Sequence, residues 1–208
     1  IDTDGEITQF ASILESASSI VIGPGLGIAE WGKSLLLLVL EAHQISRTPV
    51  IFDADAINLL SDRRDLLENM GASKFIFTPH PGEAAKLLGI SKEHVQQDRF
   101  RAVRELANLC GGVCLLKGSG SLTCSAESLD TIYLCNEGNA GMASGGMGDV
   151  LSGIIGSLIA QGLTTTEALN CGICIHGEAG DLASQANGER GLRATDLFSF
   201  LHELVNPE

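Results

Sequence analysis

Basic side chains are scarce in this chain. Lysine and arginine number 13 against 26 aspartates and glutamates, a formal net charge of −13 at pH 7, which argues against a nucleic-acid backbone as partner. Long apolar runs are missing as well. The most conspicuous, Leu35 to Leu40, spans six residues, far short of a membrane crossing. No internal repeat, low-complexity linker or domain boundary interrupts the 208 residues, of which 44% are apolar, so one domain is expected over 1–208. An initial methionine is also lacking. The chain opens on Ile1, reads as a fragment, and the lack of a leader there carries no weight. Among the six cysteines (110, 114, 124, 135, 171 and 174), Cys171-x-x-Cys174 has no second pair at metal-ligand spacing. The expectation for all six is small buried thiols of a reducing cytosol, with that pair packed in the core.

An acidic chain that binds a polyanion must offset its own field locally. The stretch Asn139–Ala140–Gly141–Met142–Ala143–Ser144–Gly145–Gly146–Met147–Gly148–Asp149 supplies the means. Its glycines let bare N–H groups come close together, and apolar residues at 150, 151, 154, 155, 158 and 159 predict an amphipathic helix after it. Free N–H groups and the positive end of a helix dipole then point the same way, which makes an anion site. No Lys-Ser or Lys-Thr pair closes the loop, so it is not the Walker phosphate loop. Asp149 stands at the positive end, placed to take a proton from a group attacking the bound anion; the competing role is a helix cap, for which aspartate is favoured.

The rest of the chain alternates strands and helices. Helices are expected over 5–17, 30–45, 56–69, 92–109, 149–160 and 164–187, one more beginning near Thr195 as N-cap, and a short one carrying Ala84, Ala85, Leu87 and Leu88. Strands are expected over 19–22, 49–55, 74–78, 112–117, 122–124 and 130–135. Glycine loops at strand ends imply a mostly parallel sheet covered by helices on both faces, with ligands outside the carboxyl ends of the strands. The motifs at 23–27, 53–55, 78–83, 117–121 and 139–149 all lie at such ends and should converge on one crevice. Gly23–Pro24–Gly25–Leu26–Gly27 superficially follows the dinucleotide fingerprint, but its third glycine is misplaced by one and Pro24 intervenes. His80 is held between Pro79 and Pro81, which favours a ligand contact. Asp53 is balanced between turn residue and site residue, Lys117–Gly118–Ser119–Gly120–Ser121 between hairpin turn and phosphate clamp, and the charged face bearing Arg99, Arg101 and Arg104 is expected to be solvated.

Together, Ile22–Gly23–Pro24–Gly25–Leu26–Gly27, Thr78–Pro79–His80–Pro81–Gly82–Glu83, Lys117–Gly118–Ser119–Gly120–Ser121 and the run from Gly138 to Gly153 resemble the bacterial ADP-dependent NAD(P)H-hydrate dehydratases, over nearly the whole chain. The resemblance implies an α/β, three-layer ribokinase-like fold with a mostly parallel central sheet. It implies ADP-dependent (ATP in eukaryotic relatives) phosphorylation of the hydroxyl of hydrated NADH or NADPH, then elimination of phosphate to leave NAD(P)H and AMP, with Mg²⁺. It places the adenine nucleotide against Lys117, Gly118, Ser119, Gly120, Ser121 and Gly148. The hydrated dinucleotide falls near Gly27, His80 and Asp149, with Asp149 as catalytic base. Gly145, Gly146, Met147 and Gly148 form the anion hole, and Glu83 is the metal-side candidate, through water. Family members carry some tens of residues before the equivalent of Ile1, including an initial strand, so an N-terminal segment is expected to be lacking. The resemblance further implies a cytoplasmic homo-oligomer, a tetramer in the family, and an epimerase for the same hydrate, fused or separate; no nucleic acid and no membrane are partners. Two other readings stand beside it: a ribokinase-like kinase of vitamin-precursor alcohols, which has asparagine where this chain has His80, and a non-catalytic nucleotide-binding fragment.

Overall fold

The computed structural model describes residue 10 and residues 12–70 and 74–206. Of the expected first helix, residues 12–16 are helical, while Ile7 and Ala11 lie outside the described residues. The elements that follow are β1 (Ile20–Ile22), α1 (Glu30–Ser46), β2 (Val50–Phe52), α2 (Ala54–Asp62), α3 (Arg64–Asn69), β3 (Phe75–Phe77), α4 (Pro81–Leu88), α5 (Lys92–Gln97) and α6 (Arg99–Cys110). Then come β4 (Val113–Leu116), β5 (Ser121–Ser125), β6 (Ser128–Cys135), α7 (Met147–Ala160), α8 (Thr165–Asn187) and α9 (Phe198–Leu204).

The six strands form one sheet in the order of the chain, β1 to β6. β1 to β4 run parallel, with Ile22 beside Phe52 and Phe52 beside Phe77. β5 returns antiparallel to β4, and β6, antiparallel to β5, runs again in the direction of β1 to β4. Parallel strands added one after another in the same direction by right-handed crossovers keep their connecting helices on one face. The core clusters follow that rule. Ile22, Phe52, Phe77 and Leu116 pack with Leu36 and Val39 of α1, Ile57 of α2, Leu87 of α4 and Leu106 of α6. Their neighbours along the strands, Ile51, Ile76 and Leu115, turn to the other face and meet Leu151 and Ile155 of α7 and Leu169 and Ile173 of α8. Period-two alternation with both faces apolar thus makes three layers, as expected. Phe52 and Phe77 stack with ring centroids 5.0 Å apart, and burying a side chain of this size stabilises a fold by roughly 1.5–3 kcal/mol.

Several boundaries differ from expectation. The helix predicted over 56–69 breaks at Arg63, and the one over 92–109 breaks at Asp98, whose carboxylate caps α6 by accepting from the Arg101 N–H at 2.9 Å. Hydrophobic spacing ran through both breaks because the two halves of each pair bury the same face. Thr195 does not cap the terminal helix: it lies inside a short 3₁₀ turn, Ala194–Leu197, which precedes α9 and is itself capped at Arg193, whose N–H donates to Asp196 at 2.9 Å. Cys110, Cys114, Cys124 and Cys135 are buried as expected, but Cys171 and Cys174 are exposed. The two are three residues apart and share one side of α8, on which Cys174 approaches the end of β6. No helix among the described residues is long and apolar enough to cross a membrane.

Candidate functional site

The parallel strands all deliver their carboxyl ends to one edge of the sheet, and the glycine loop comes to the same edge from β6. Its first part closes on itself. The Asn139 side chain accepts from the Gly141 N–H at 3.0 Å, and the Met142 and Ala143 N–H groups bond back to Asn139 and Ala140 carbonyls. Its second part does not. Gly146 caps α7 at φ 86°, a left-handed conformation that glycine adopts without strain, and its carbonyl takes the Val150 N–H. Among the described residues, the N–H groups of Gly145, Gly146, Met147, Gly148 and Asp149 have no protein partner. Five amides at the positive end of a 14-residue helix are therefore available to an anion. Asp149 is the third residue of α7 and does not cap it. The capping alternative is thereby excluded, and the exposed carboxylate lies one residue beyond Gly148.

Next to these amides opens a cleft of about 680 Å³. Its walls are His80, the turn Lys117–Ser121, residues 135–140, Met147 and Gly148, with His176 and Gly177 of α8. The turn is an ordinary hairpin between β4 and β5 and a cleft wall at once, so the two readings of Lys117–Ser121 are compatible. Lys117 Nζ lies 2.7 Å from Asp53 Oδ1. Asp53 is 2% exposed, accepts from Ser152 Oγ of α7 at 3.0 Å, and caps α2 through the Ala54 N–H. A Cβ added to Gly148 would sit 3.4 Å from both Asp53 Oδ2 and Lys117 Nζ. Lys117, the one lysine or arginine of the cleft wall among the described residues, is thus held against the first turn of α7 by a buried carboxylate.

His80 caps α4. Its Nδ1 accepts from the N–H groups of Gly82 at 2.9 Å and Glu83 at 3.2 Å, while Glu83 Oε2 takes the His80 N–H at 2.8 Å. Since Nδ1 accepts, the ring proton sits on Nε2, which lies 3.4 Å from Glu83 Oε1 at the edge of an otherwise exposed ring. Glu83 is buried, and desolvation raises its pKa against the opposing bond from His80. Gly27 lies apart from the cleft walls; its N–H donates to Asp55 Oδ2 at 2.9 Å. Of the predicted residues, the structure brings together His80, Lys117 to Ser121, Met147 and Gly148, and sets Gly27, Glu83, Gly145, Gly146 and Asp149 outside that lining.

Three contributors were not singled out from sequence. Arg99, expected on a solvated face, turns inward and donates to the carbonyls of Leu116 at 3.1 Å, Lys117 and Ser119, bracing the turn. Asp181 of α8 accepts from the Gly138 N–H and the Asn139 side chain, both at 2.8 Å, and pins the start of the loop. His176 lines the cleft at 8% exposure, its Nε2 without a hydrogen-bond partner among the described residues. Its signal was present, a histidine on the apolar stripe of a long helix, but that stripe alone does not tell a cleft from a core.

Burial lowers the His176 pKa from 6.5 to about 4, a backbone bond to Met147 opposing and the Lys117 charge assisting. A histidine whose folded pKa is depressed contributes stability that is fully present above the unfolded value. That stability is lost as pH falls from 6.5 towards 4, because the unfolded chain binds the extra proton. Between pH 7.5 and pH 5 the expected loss from this group is on the order of 2 kcal/mol. Urea unfolding at the two pH values should show it, and His176→Gln should shrink the difference. Equal pH dependence in the variant would mean that the ring is solvated. His43, also buried and lowered chiefly by desolvation, contributes in the same direction in both proteins.

Comparison with known proteins gives a consistent result. Residues 3–203 match a family described as NAD(P)H-hydrate dehydratase. The bifunctional NAD(P)H-hydrate repair enzyme Nnr of Coxiella burnetii is 49% identical over 195 residues, 94% of this chain and 38% of that protein. The ADP-dependent (S)-NAD(P)H-hydrate dehydratase of Neisseria meningitidis is 43% identical over 181 residues, 85% of this chain and 59% of its relative. Among solved structures, a ribokinase-like superfamily protein of Enterococcus faecalis superposes with a TM-score of 0.81 at 30% identity, covering 95% of this chain and 66% of its own. The chain spans less than two thirds of the length of both curated relatives.

Proposed function

From the premise that the chain belongs to the NAD(P)H-hydrate dehydratase family, we propose that it takes part in ADP-dependent repair of hydrated NADH or NADPH. The observation that carries this reading is the set of five unpartnered amides opening α7 beside the cleft. They are donors aimed where a transferring phosphoryl group gathers charge. In the proposed sequence Asp149 accepts the proton of the hydrate's ring hydroxyl, and that oxygen attacks the terminal phosphorus of ADP. The P–O bond to AMP breaks with its electron pair on AMP. In the second step the C–O bond breaks with its pair on phosphate and a neighbouring ring proton leaves, so NAD(P)H, AMP and phosphate result. Hydroxide is a poor leaving group and phosphate a good one, which is why the ADP is needed.

Lys117 to Ser121 and Gly148 are assigned to the adenine nucleotide, His80, Gly27 and Asp149 to the hydrate, and Gly145 to Gly148 to the anion. Mg²⁺ is implied by the chemistry. Among the described residues one cluster of three ligating groups exists, and two of the three are thiols, a donor set foreign to Mg²⁺. Dedicated protein caging of Mg²⁺ therefore does not fit, whereas an ion carried in on the phosphates does. Glu83, outside the cleft lining and bonded to His80, would reach such an ion only through water, and the ion when bound would supply neutralisation of charge on the phosphoryl oxygens. An epimerase partner, cytoplasmic location and a homotetramer belong to the same proposal. The name of the Coxiella relative, a bifunctional repair enzyme, supports the first of these.

The protein incubated with ADP and NADH hydrate should restore dihydronicotinamide absorbance. No recovery, with phosphorylation of a vitamin-precursor alcohol instead, would move the chain to the kinase reading. Binding of AMP without either reaction would leave it a nucleotide-binding module. Lys117→Ala should weaken AMP binding by about tenfold in calorimetry, the scale of one charge-assisted contact. Because that variant leaves Asp53 unpaired, Lys117→Ala with Asp53→Asn is the companion measurement and should bind as weakly. Unchanged dissociation constants in both would return the turn to a purely structural role.

A further inference from the structure

The reaction above leaves one group of side chains unused. Cys135 is the last residue of β6 and is buried; Glu137 follows it, and Cys174 lies exposed on α8. One ligating atom from each lies within 4.8 Å of the other two. Cys135 Sγ donates to Glu137 Oε2 at 2.9 Å. Residues two apart at the end of a strand share a side, which accounts for Cys135 with Glu137, and the packing of β6 on α8 brings up the third.

That junction is braced by contacts independent of the three side chains. Gly177, three residues beyond Cys174, presses so closely on Glu137 that an added Cβ would lie 2.7 Å from the Glu137 Cβ. Asp181, one helical turn further, holds the Gly138 N–H and the Asn139 side chain. The donor atoms are therefore brought together by the fold. Two sulfurs and one carboxylate oxygen suit a borderline-soft ion better than a hard one.

We propose that Cys135, Cys174 and Glu137 bind a borderline-soft divalent cation of the Zn²⁺ type, with the fourth position of a tetrahedron left to solvent. Loading is charge-balanced. Two thiols and a carboxylate, net −1, lose two protons to water and gain a 2+ ion, and the loaded site is again −1. The ion therefore acts by fastening the end of β6 to α8 beside the cleft, and not by drawing phosphates to it.

The test is titration of the fully reduced protein with Co²⁺, read by thiolate-to-cobalt absorption, followed by displacement with Zn²⁺ and a melting curve. One equivalent of Co²⁺ should develop the absorption, and Zn²⁺ should abolish it while raising the melting temperature. Cys174→Ser, at an exposed position that spares the core, should weaken binding by at least ~10-fold, and Glu137→Gln should weaken it in the same direction. Cys171→Ser should leave it unchanged. Absorption that never develops, that survives Cys174→Ser, or that disappears with Cys171→Ser would overturn the assignment.

Discussion

Asp149→Asn is expected to lower turnover of NADH hydrate by a factor between ~10² and ~10⁴, the usual worth of a positioned general base, with adenine-nucleotide affinity within a few fold. The two halves of that expectation come from different parts of α7. In the proposed assignment affinity belongs to the Lys117–Ser121 turn and the amides of Gly145 to Asp149, which the substitution leaves in place. Turnover depends on the one exposed carboxylate of the first turn, where it has no capping duty that the exchange could disturb. Asparagine keeps the shape and loses the ability to accept a proton. Turnover preserved in the variant would mean that the hydroxyl reacts without Asp149. A collapse of AMP binding together with turnover would mean that the substitution had moved the loop itself.

Gly23→Ala is expected to destabilise the protein by more than ~4 kcal/mol, at the extreme of single substitutions. Gly23 holds φ at 132°, and a Cβ there would lie 1.7 Å from the Asp53 carbonyl oxygen. That is a covalent distance, and its partner is main chain, so no rotamer change relieves it. Parting the two loops would break the bond from the Asp53 N–H to the Ile22 carbonyl, 3.1 Å. It would also unseat the carboxylate that holds Lys117 and Ser152. Since whole domains are stable by only about 5–15 kcal/mol, the variant should be largely insoluble or melt far below the parent. Measured stability within ~1 kcal/mol of the parent, the range of ordinary surface changes, would show that β1 and β2 are free to move apart.

What could be read from residues and what could not divides along physical lines. Phe52, Phe77 and Ile22 announced strands because β-branched and aromatic runs bounded by glycine or proline have few other uses. Their pairing in chain order needed the structure, since every parallel order buries the same residues. The anion loop was visible because glycine density is a backbone property written into the sequence. Arg99 was not, because a long cation on a charged helix face can extend to water or bend to nearby carbonyls, and only the position of the β4–β5 turn decides. His176 was missed for the converse reason: the helical stripe gave its burial but not the opening next to it. The breaks at Arg63 and Asp98 escaped because periodicity reports which face is apolar and is silent about a change of axis. Cys171 and Cys174 were misjudged since cysteine's average preference for interiors says nothing of its place around a particular helix.

A binding surface made of main-chain N–H groups has no side chain that mutation can delete. Selection and engineering can then reach it only at second hand, through whatever sets the path of the chain: Gly146 at its left-handed turn, Asn139 and Asp181 at the entrance, Arg99 behind the neighbouring hairpin. Under the proposed function, drift in phosphate affinity should accordingly map, Lys117 apart, to residues that set the path of the backbone, and side-chain changes along the loop should look permissive so long as the curve of the backbone survives.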